Sequence, residues 1–310
     1  MRLAFPLAFA FLILTNLSAI AQHRFLANQQ NKLVIIDAEG KPQWQMMLSG
    51  SPHDLQLLDN GNILTHQNTE IIEIDPRSSE IVWSLDAKKF ATVDRVEVHS
   101  VRAIPGDRIM IALSGEGKLL EVDRDGTLHH SITLQRTHPH PHRDTRLVRR
   151  LENGNYLVAQ EGDGKVCEYD RDGKIVWQYD VPMFGRKARG GHGPEAFGNS
   201  VFSALRLPNG NTLIGTGNGH SILEVTPEKE IVWKLQQHDL PGITLAWVTT
   251  LEYHPNGNIV FGNCHAGPEN PQLIEINRGQ EVLWKVHDFK TLGNDVSNSI
   301  ILDADANVIR

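Results

Sequence analysis

Only two cysteines, Cys167 and Cys264, occur in 310 residues. That is too few for a disulfide scaffold or a structural zinc site. Aromatic residues make up 6% of the chain and charged residues 22%, with 26 Gly and 15 Pro. This ordinary globular mixture excludes collagen, coiled coil and wholesale disorder. No excess of basic charge is present either. The formal net charge is -7, which excludes nucleic acid as the main partner because phosphate binding requires a basic surface. Helical periodicity is missing along the whole chain, and with it any Gly-rich phosphate loop opening a helix. Neither a Gly-x-Ser-x-Gly elbow nor a His-Glu-x-x-His pair occurs. What the chain has in quantity is histidine, 15 in all.

The long apolar run stands at the start. Met1-Arg2 gives a short positive beginning, Leu3 to Leu14 is apolar throughout, and Ala19-Ile20-Ala21 matches a small-x-small cleavage site. Leu3 to Leu14 is too short for a hydrocarbon core of ~30 Å, which needs about 20 residues. No Cys follows the cleavage site to carry a lipid anchor. Residues 1–21 therefore read as a signal peptide, and residues 22–310 as a single exported domain, periplasmic or secreted. No later stretch approaches membrane-spanning length.

A repeat of about 46 residues organises the rest. Asn-Gly-Asn recurs at Asn60-Gly61-Asn62, Asn153-Gly154-Asn155, Asn209-Gly210-Asn211 and Asn256-Gly257-Asn258, with Pro105-Gly106-Asp107 between the first two. Asn-Gly flanked by alternating runs signals a tight hairpin. A second signature follows each turn. Glu73-Ile74-Asp75 leads to Trp83, Glu168-Tyr169-Asp170 to Trp177, Glu224-Val225-Thr226 to Trp233, and Glu275-Ile276-Asn277 to Trp284. Trp44 marks a first unit, and His130 takes the Trp place in the third. The unit is four short antiparallel strands, and there are six units. The first lacks its inner strand, while Asn298 to Asp303 supplies a spare one at the other end. An all-β, six-bladed β-propeller follows, its ring closed by pairing the N- and C-terminal strands, which removes open sheet edges.

The run from Glu168 to Trp177, with its Asn-Gly-Asn partner, resembles the repeats of exported bacterial PQQ-like-repeat propellers. It is also similar to the propeller of bacterial arylsulfotransferases. The similarity covers residues 24 to 310, and its motifs encode blade architecture more than chemistry. Arylsulfotransferases use a funnel His that accepts the sulfuryl group, so the resemblance implies His-based group transfer. No segment matches that family's catalytic stretch, so no residue is carried over. Quinoprotein dehydrogenases generally have eight blades and often a vicinal disulfide beside the quinone. With six units and two distant cysteines, PQQ is not expected here.

The Asn-Gly-Asn face is short and regular, whereas the opposite face carries the long loops. These are Thr137 to Asp144, Pro182 to Asn199, Gly217 to His220 and Asn263 to Gly267. Ligand sites concentrate on such loops over a rigid frame. Aligning units on the turns sets His53 beside Arg146, Phe202, Thr249 and Asn298 as channel-facing positions. His99 joins them only with one residue missing before its turn, and Glu97 and Asp144 lie two residues earlier. Nine histidines (53, 66, 99, 138, 140, 142, 192, 220 and 265) fall on this face or in the channel. His53, His99 and Arg146 are the catalytic candidates, because imidazole titrates near neutrality and guanidinium clamps anions. Arg143, Asp144, His192, His220 and His265 are the ligand-binding candidates. Cys264, beside His265, is the better reactive thiol.

Three functions compete. The first is a funnel that binds a small anionic ligand, with Arg143, Arg146, Arg186, Lys187 and Arg189 giving a local positive field. The second is a non-catalytic scaffold for an envelope protein, whose mark would be a broad apolar patch. The third is a metal-dependent lactonase or lyase, with a divalent cation held by Glu97, Asp144, Asn199 and Asn294. A monomer is expected in each case.

Overall fold

The computed structural model describes residues 22–310; the segment read as a signal peptide, residues 1–21, lies outside the described residues. Six four-stranded antiparallel sheets carry nearly all the regular structure. Blades 2 to 6 take their strands in chain order. Their innermost strands are Gln56–Leu57, Glu97–Ile104, Val148–Arg150, Ser203–Arg206 and Trp247–Tyr253. Blade 1 takes Phe25–Gln29, Lys32–Ile36 and Pro42–Met47 from one end of the chain and Ser299–Ile301 from the other. The register is Phe25 on Ile301, Leu26 on Ile300 and Ala27 on Ser299. The chain is thus a six-bladed β-propeller closed by its terminal strands, as the six-unit count requires. Among the described residues, no helix is long and apolar enough to cross a membrane.

Burial explains why the strands differ in pattern. The third strand of a blade is packed on both faces by its neighbours, so Ile222–Val225 is apolar and wholly buried apart from Glu224's role below. The outermost strand Ile231–Leu235 lies on the rim and buries only Leu235 fully. Gly61, Gly154, Gly210 and Gly257 all adopt φ between 83° and 92°, the conformation that their turns require of glycine.

The repeated polar residues are the joints between blades. Asn60 and Asn62 donate to Glu73, Asn153 and Asn155 to Glu168, and Asn209 and Asn211 to Glu224. Each of these carboxylates then receives a cation from the next blade: Arg124 on Glu73 at 2.6 Å, Arg206 on Glu168 at 2.7 Å and Arg278 on Glu224 at 2.5 Å. The Trp residues fasten the same seams. Trp83, Trp177 and Trp233 donate Nε1–H to the carbonyls of Arg124, Pro227 and Arg278. His130, the exception, lies parallel to Tyr156 across its seam at 6.4 Å.

Glu224→Ala should therefore cost about 1–3 kcal/mol, because it leaves Arg278 and two Asn donors without their acceptor. Equilibrium urea unfolding is the measurement. Glu39→Ala, on an exposed turn, should change the midpoint little.

Candidate functional site

The two ends of the channel differ as the loops do. On the long-loop face a cavity of about 740 Å³ opens over the axis. His53, Arg143, Arg146, His192 and His265 line it, together with Trp247. The structure thus brings five of the candidate residues to one cavity, on two facing walls.

The first wall is a histidine cluster. The His53 ring lies 4.7 Å from that of His99, 5.9 Å from His66 and 6.0 Å from His142. The main-chain N–H of His53 donates to His66 Nε2 at 2.9 Å, so the proton of His66 sits on Nδ1. Neither Nδ1 of His53 nor that of His66 has a partner among the described residues. Burial, followed by the charges of His99 and Arg146, pushes His53 well below the ordinary imidazole range. Burial and His99 take His66 down to about 3. Both rings are neutral at physiological pH.

His99 is fully buried behind His53 and does not line the cavity. It is the extra residue of a β-bulge, for Val98 pairs with Leu113 while Ser100 pairs with Ala112. Bulges re-aim a side chain, and this one explains why unit three aligns only with a missing residue. His99 Nδ1 donates to the Thr145 carbonyl at 2.7 Å, leaving Nε2 against Glu97 Oε2 at 3.2 Å. His142 is defined similarly. Arg146 Nη2 donates to its Nε2 at 3.0 Å, so Nδ1–H donates to Glu97 Oε2 at 2.6 Å. Burial opposes ionisation of Glu97, but the His142 and His99 contacts outweigh it and hold the carboxyl well below its usual range. Burial and Arg146 lower His99 in turn, against the pull of Glu97 and Thr145.

The second wall is aromatic. His192 stacks on Trp247 at 5.3 Å, and His265 lies 5.1 Å from His192 and edge-on to Trp247. Burial lowers the His265 pKa against the pull of Asp295, 3.2 Å away. Cys264 also lines the cavity, but burial and Asp295 push its thiol far up, so it is not a reactive thiolate.

The other candidates lie elsewhere. His220 is fully buried between the carbonyls of Ala246 and Ala196 and ties two loops together. Asp144 is buried and accepts from Arg136, Gly115 N–H and His140 N–H, which pins the loop of His138 to His142. Asn294 accepts from Gly267 N–H, and Asn199 lies against Gly164. Glu97 is engaged with the histidines instead of with these three. Arg186 covers the Phe197 ring at 3.5 Å, and Arg146 is paired with Glu161, so the mouth is less positive than a count of its basic residues implies.

Asp54 was not singled out from the sequence. Wholly buried, it accepts from Ser100 Oγ, Val101 N–H and Arg149. It joins blades 2, 3 and 4 at the centre. Its only sequence signal is its place beside His53 at the entry to an inner strand.

A propeller of repeated Asn-Gly-Asn and Glu/Trp seams is the class that this fold and cavity define. The family model described as outer membrane protein assembly factor BamB, PQQ_2, matches residues 29–286, and the chain belongs to that family. Among solved structures, a protein of unknown function from Bacteroides caccae is 22% identical, with a TM-score of 0.74 over 90% of this chain and 98% of that one. A streptogramin B lyase is 12% identical, with a TM-score of 0.57 over 88% and 85% of the two chains. Virginiamycin B lyase from Staphylococcus aureus is also 12% identical, at 0.54 over 81% and 76%. These likenesses establish the fold alone. No curated protein matches the chain.

Proposed function

We propose that the protein is an exported propeller whose funnel binds a small organic anion, with its acidic group at Arg146 and its flat or apolar part against Trp247 and Phe202. One observation carries this reading. Arg146 is 5% exposed, spends Nε on Glu161 and Nη2 on His142, and has no partner for Nη1 among the described residues. A buried unmet donor costs about 1–3 kcal/mol, and because Arg146 lines the cavity a small turn of its guanidinium would set that donor on an anionic oxygen there. The guanidinium lies over the Phe202 ring at 5.6 Å, which restricts the directions in which it can donate. Neutral His53, on the same cavity, supplies a base or an acceptor for a transferred group. Arylsulfotransferase-like transfer is the catalytic form of the same reading.

A metal-dependent lactonase or lyase is the second reading. Glu97, His99 and His142 favour it, since their ligand atoms lie within 4.8 Å of one another. His99 is oriented by a carbonyl in the way that metal-binding imidazoles are. Scaffolding through an apolar patch draws less support. The most exposed large hydrophobics, among them Met47, Val82, Leu128, Val176 and Val232, are spread over the outermost strands of five blades.

Calorimetry with 4-nitrophenyl sulfate and benzoate tests the first reading. Binding should weaken about tenfold or more in Arg146→Ala, the loss of a charge-assisted pair. Equal binding by wild type and Arg146→Ala would refute it.

A further inference from the structure

The face expected to be purely structural carries the larger concentration of positive charge. Around the short-turn end of the channel lies an open bowl of about 750 Å³. Six guanidiniums line it: Arg102, Arg108, Arg149, Arg150, Arg171 and Arg310. Few carboxylates answer them. Glu121 alone accepts from Arg150 at 3.0 Å and from Arg171 at 2.8 Å and 3.1 Å, while Arg108 reaches it only at 3.8 Å. Tyr156 Oη also donates to Glu121, so this one carboxylate already takes four donors. Deeper in the channel, Asp54 is shared by Arg149 at 3.1 Å and Arg102 at 3.8 Å. Glu252 holds Arg310 at 2.9 Å, Arg149 also donates Nε–H to the Arg310 main-chain oxygen at 2.8 Å, and Glu152, in the lining, is exposed.

We propose that this bowl is a second anion site, separate from the funnel, that takes a small, multiply charged oxyanion of the phosphate class. Guanidinium forks match the paired oxygens of such an ion. Five of the six cations share two carboxylates, so positive charge remains uncompensated on a protein whose net charge is -7. Such a local field concentrates an anion there. Burial and the neighbouring Arg149 bring the Arg102 guanidinium down to about 10. Burial also pushes the Glu252 carboxyl up to about 7, so near neutrality it only partly compensates Arg310.

The test is calorimetric titration with inorganic phosphate at constant ionic strength, carried out in the Arg146→Ala background so that the funnel does not contribute. Saturable binding at millimolar phosphate is expected, about tenfold weaker in Arg108→Gln/Arg150→Gln. Arg108→Gln alone, at a half-exposed residue outside the Glu121 hydrogen bonds, should already weaken it and keeps the test open if the double variant does not fold. The proposal is overturned if no saturable heat appears, if the bowl variants bind unchanged, or if wild-type binding vanishes in Arg146→Ala. The last result would place the anion in the funnel only, and failure of the funnel reading leaves this titration unaffected.

Discussion

Replacing Asp54 with Ala is expected to cost about 3–5 kcal/mol, the usual penalty for removing one partner of a buried ion pair. Asp54 is fully buried, and Arg102 and Arg149 beside it are nearly so. Its loss leaves both guanidiniums facing Arg310 without their shared carboxylate, strands Val101 N–H and leaves Ser100 Oγ only its Val148 partners. Asp54→Asn, which keeps the size and some of the hydrogen bonds, should fall between wild type and Ala. Urea unfolding at neutral pH measures both. A change below about 1 kcal/mol in Asp54→Ala would mean that the centre of the ring is not held by this carboxylate.

Acid should unfold the protein early, and the histidine cluster sets where. His66 is about 3 in the fold against an ordinary 6.5, and His53 is lowered as well. Between those values the unfolded chain takes up protons that the folded chain refuses. Stability is therefore full above about pH 6.5 and falls towards pH 3, by about 1.4 kcal/mol per pH unit for His66, with His53 adding a fall of the same sign. Glu252, pushed up to about 7 by burial, works in the opposite direction between pH 7 and its ordinary 4.5. His23, whose pKa is raised, opposes the fall as Glu252 does, but five lowered imidazoles (53, 66, 99, 254 and 265) leave the net fall in place. In His66→Gln the amide oxygen can still accept from His53 N–H, and the loss of stability from pH 6.5 to 5 should shrink by roughly 2 kcal/mol. An unchanged pH dependence would show that His66 is protonated in the fold.

Blade architecture was legible because each blade repeats the same local chemistry. Asn-Gly-Asn demands one turn, Glu answers its Asn side chains, and Trp closes the seam, so the residues that encode the fold are also those that recur. The missing inner strand before Arg24 and the spare one at Ser299–Ile301 even gave the closure. The site was legible only by position. Turn alignment placed His53 and Arg146 on the cavity, since both lie on ordinary inner strands or their entries. It could not place the ring of His99, because a bulge shifts the register there, nor foresee that Asp144 would be spent on Arg136 and His140. The arginine bowl was missed for a different reason. Arg102, Arg149 and Arg310 come from separate blades and a terminal segment, and only ring closure brings them together.

Whether the funnel receives an acidic group at Arg146 can be seen in a crystal structure of the protein soaked in 4-nitrophenyl sulfate. A sulfate oxygen is expected within hydrogen-bond distance of the Arg146 guanidinium, with the aromatic ring against the wall of Trp247 and Phe202. An empty cavity at saturating ligand, or a sulfate held only at exposed Arg143, would contradict it.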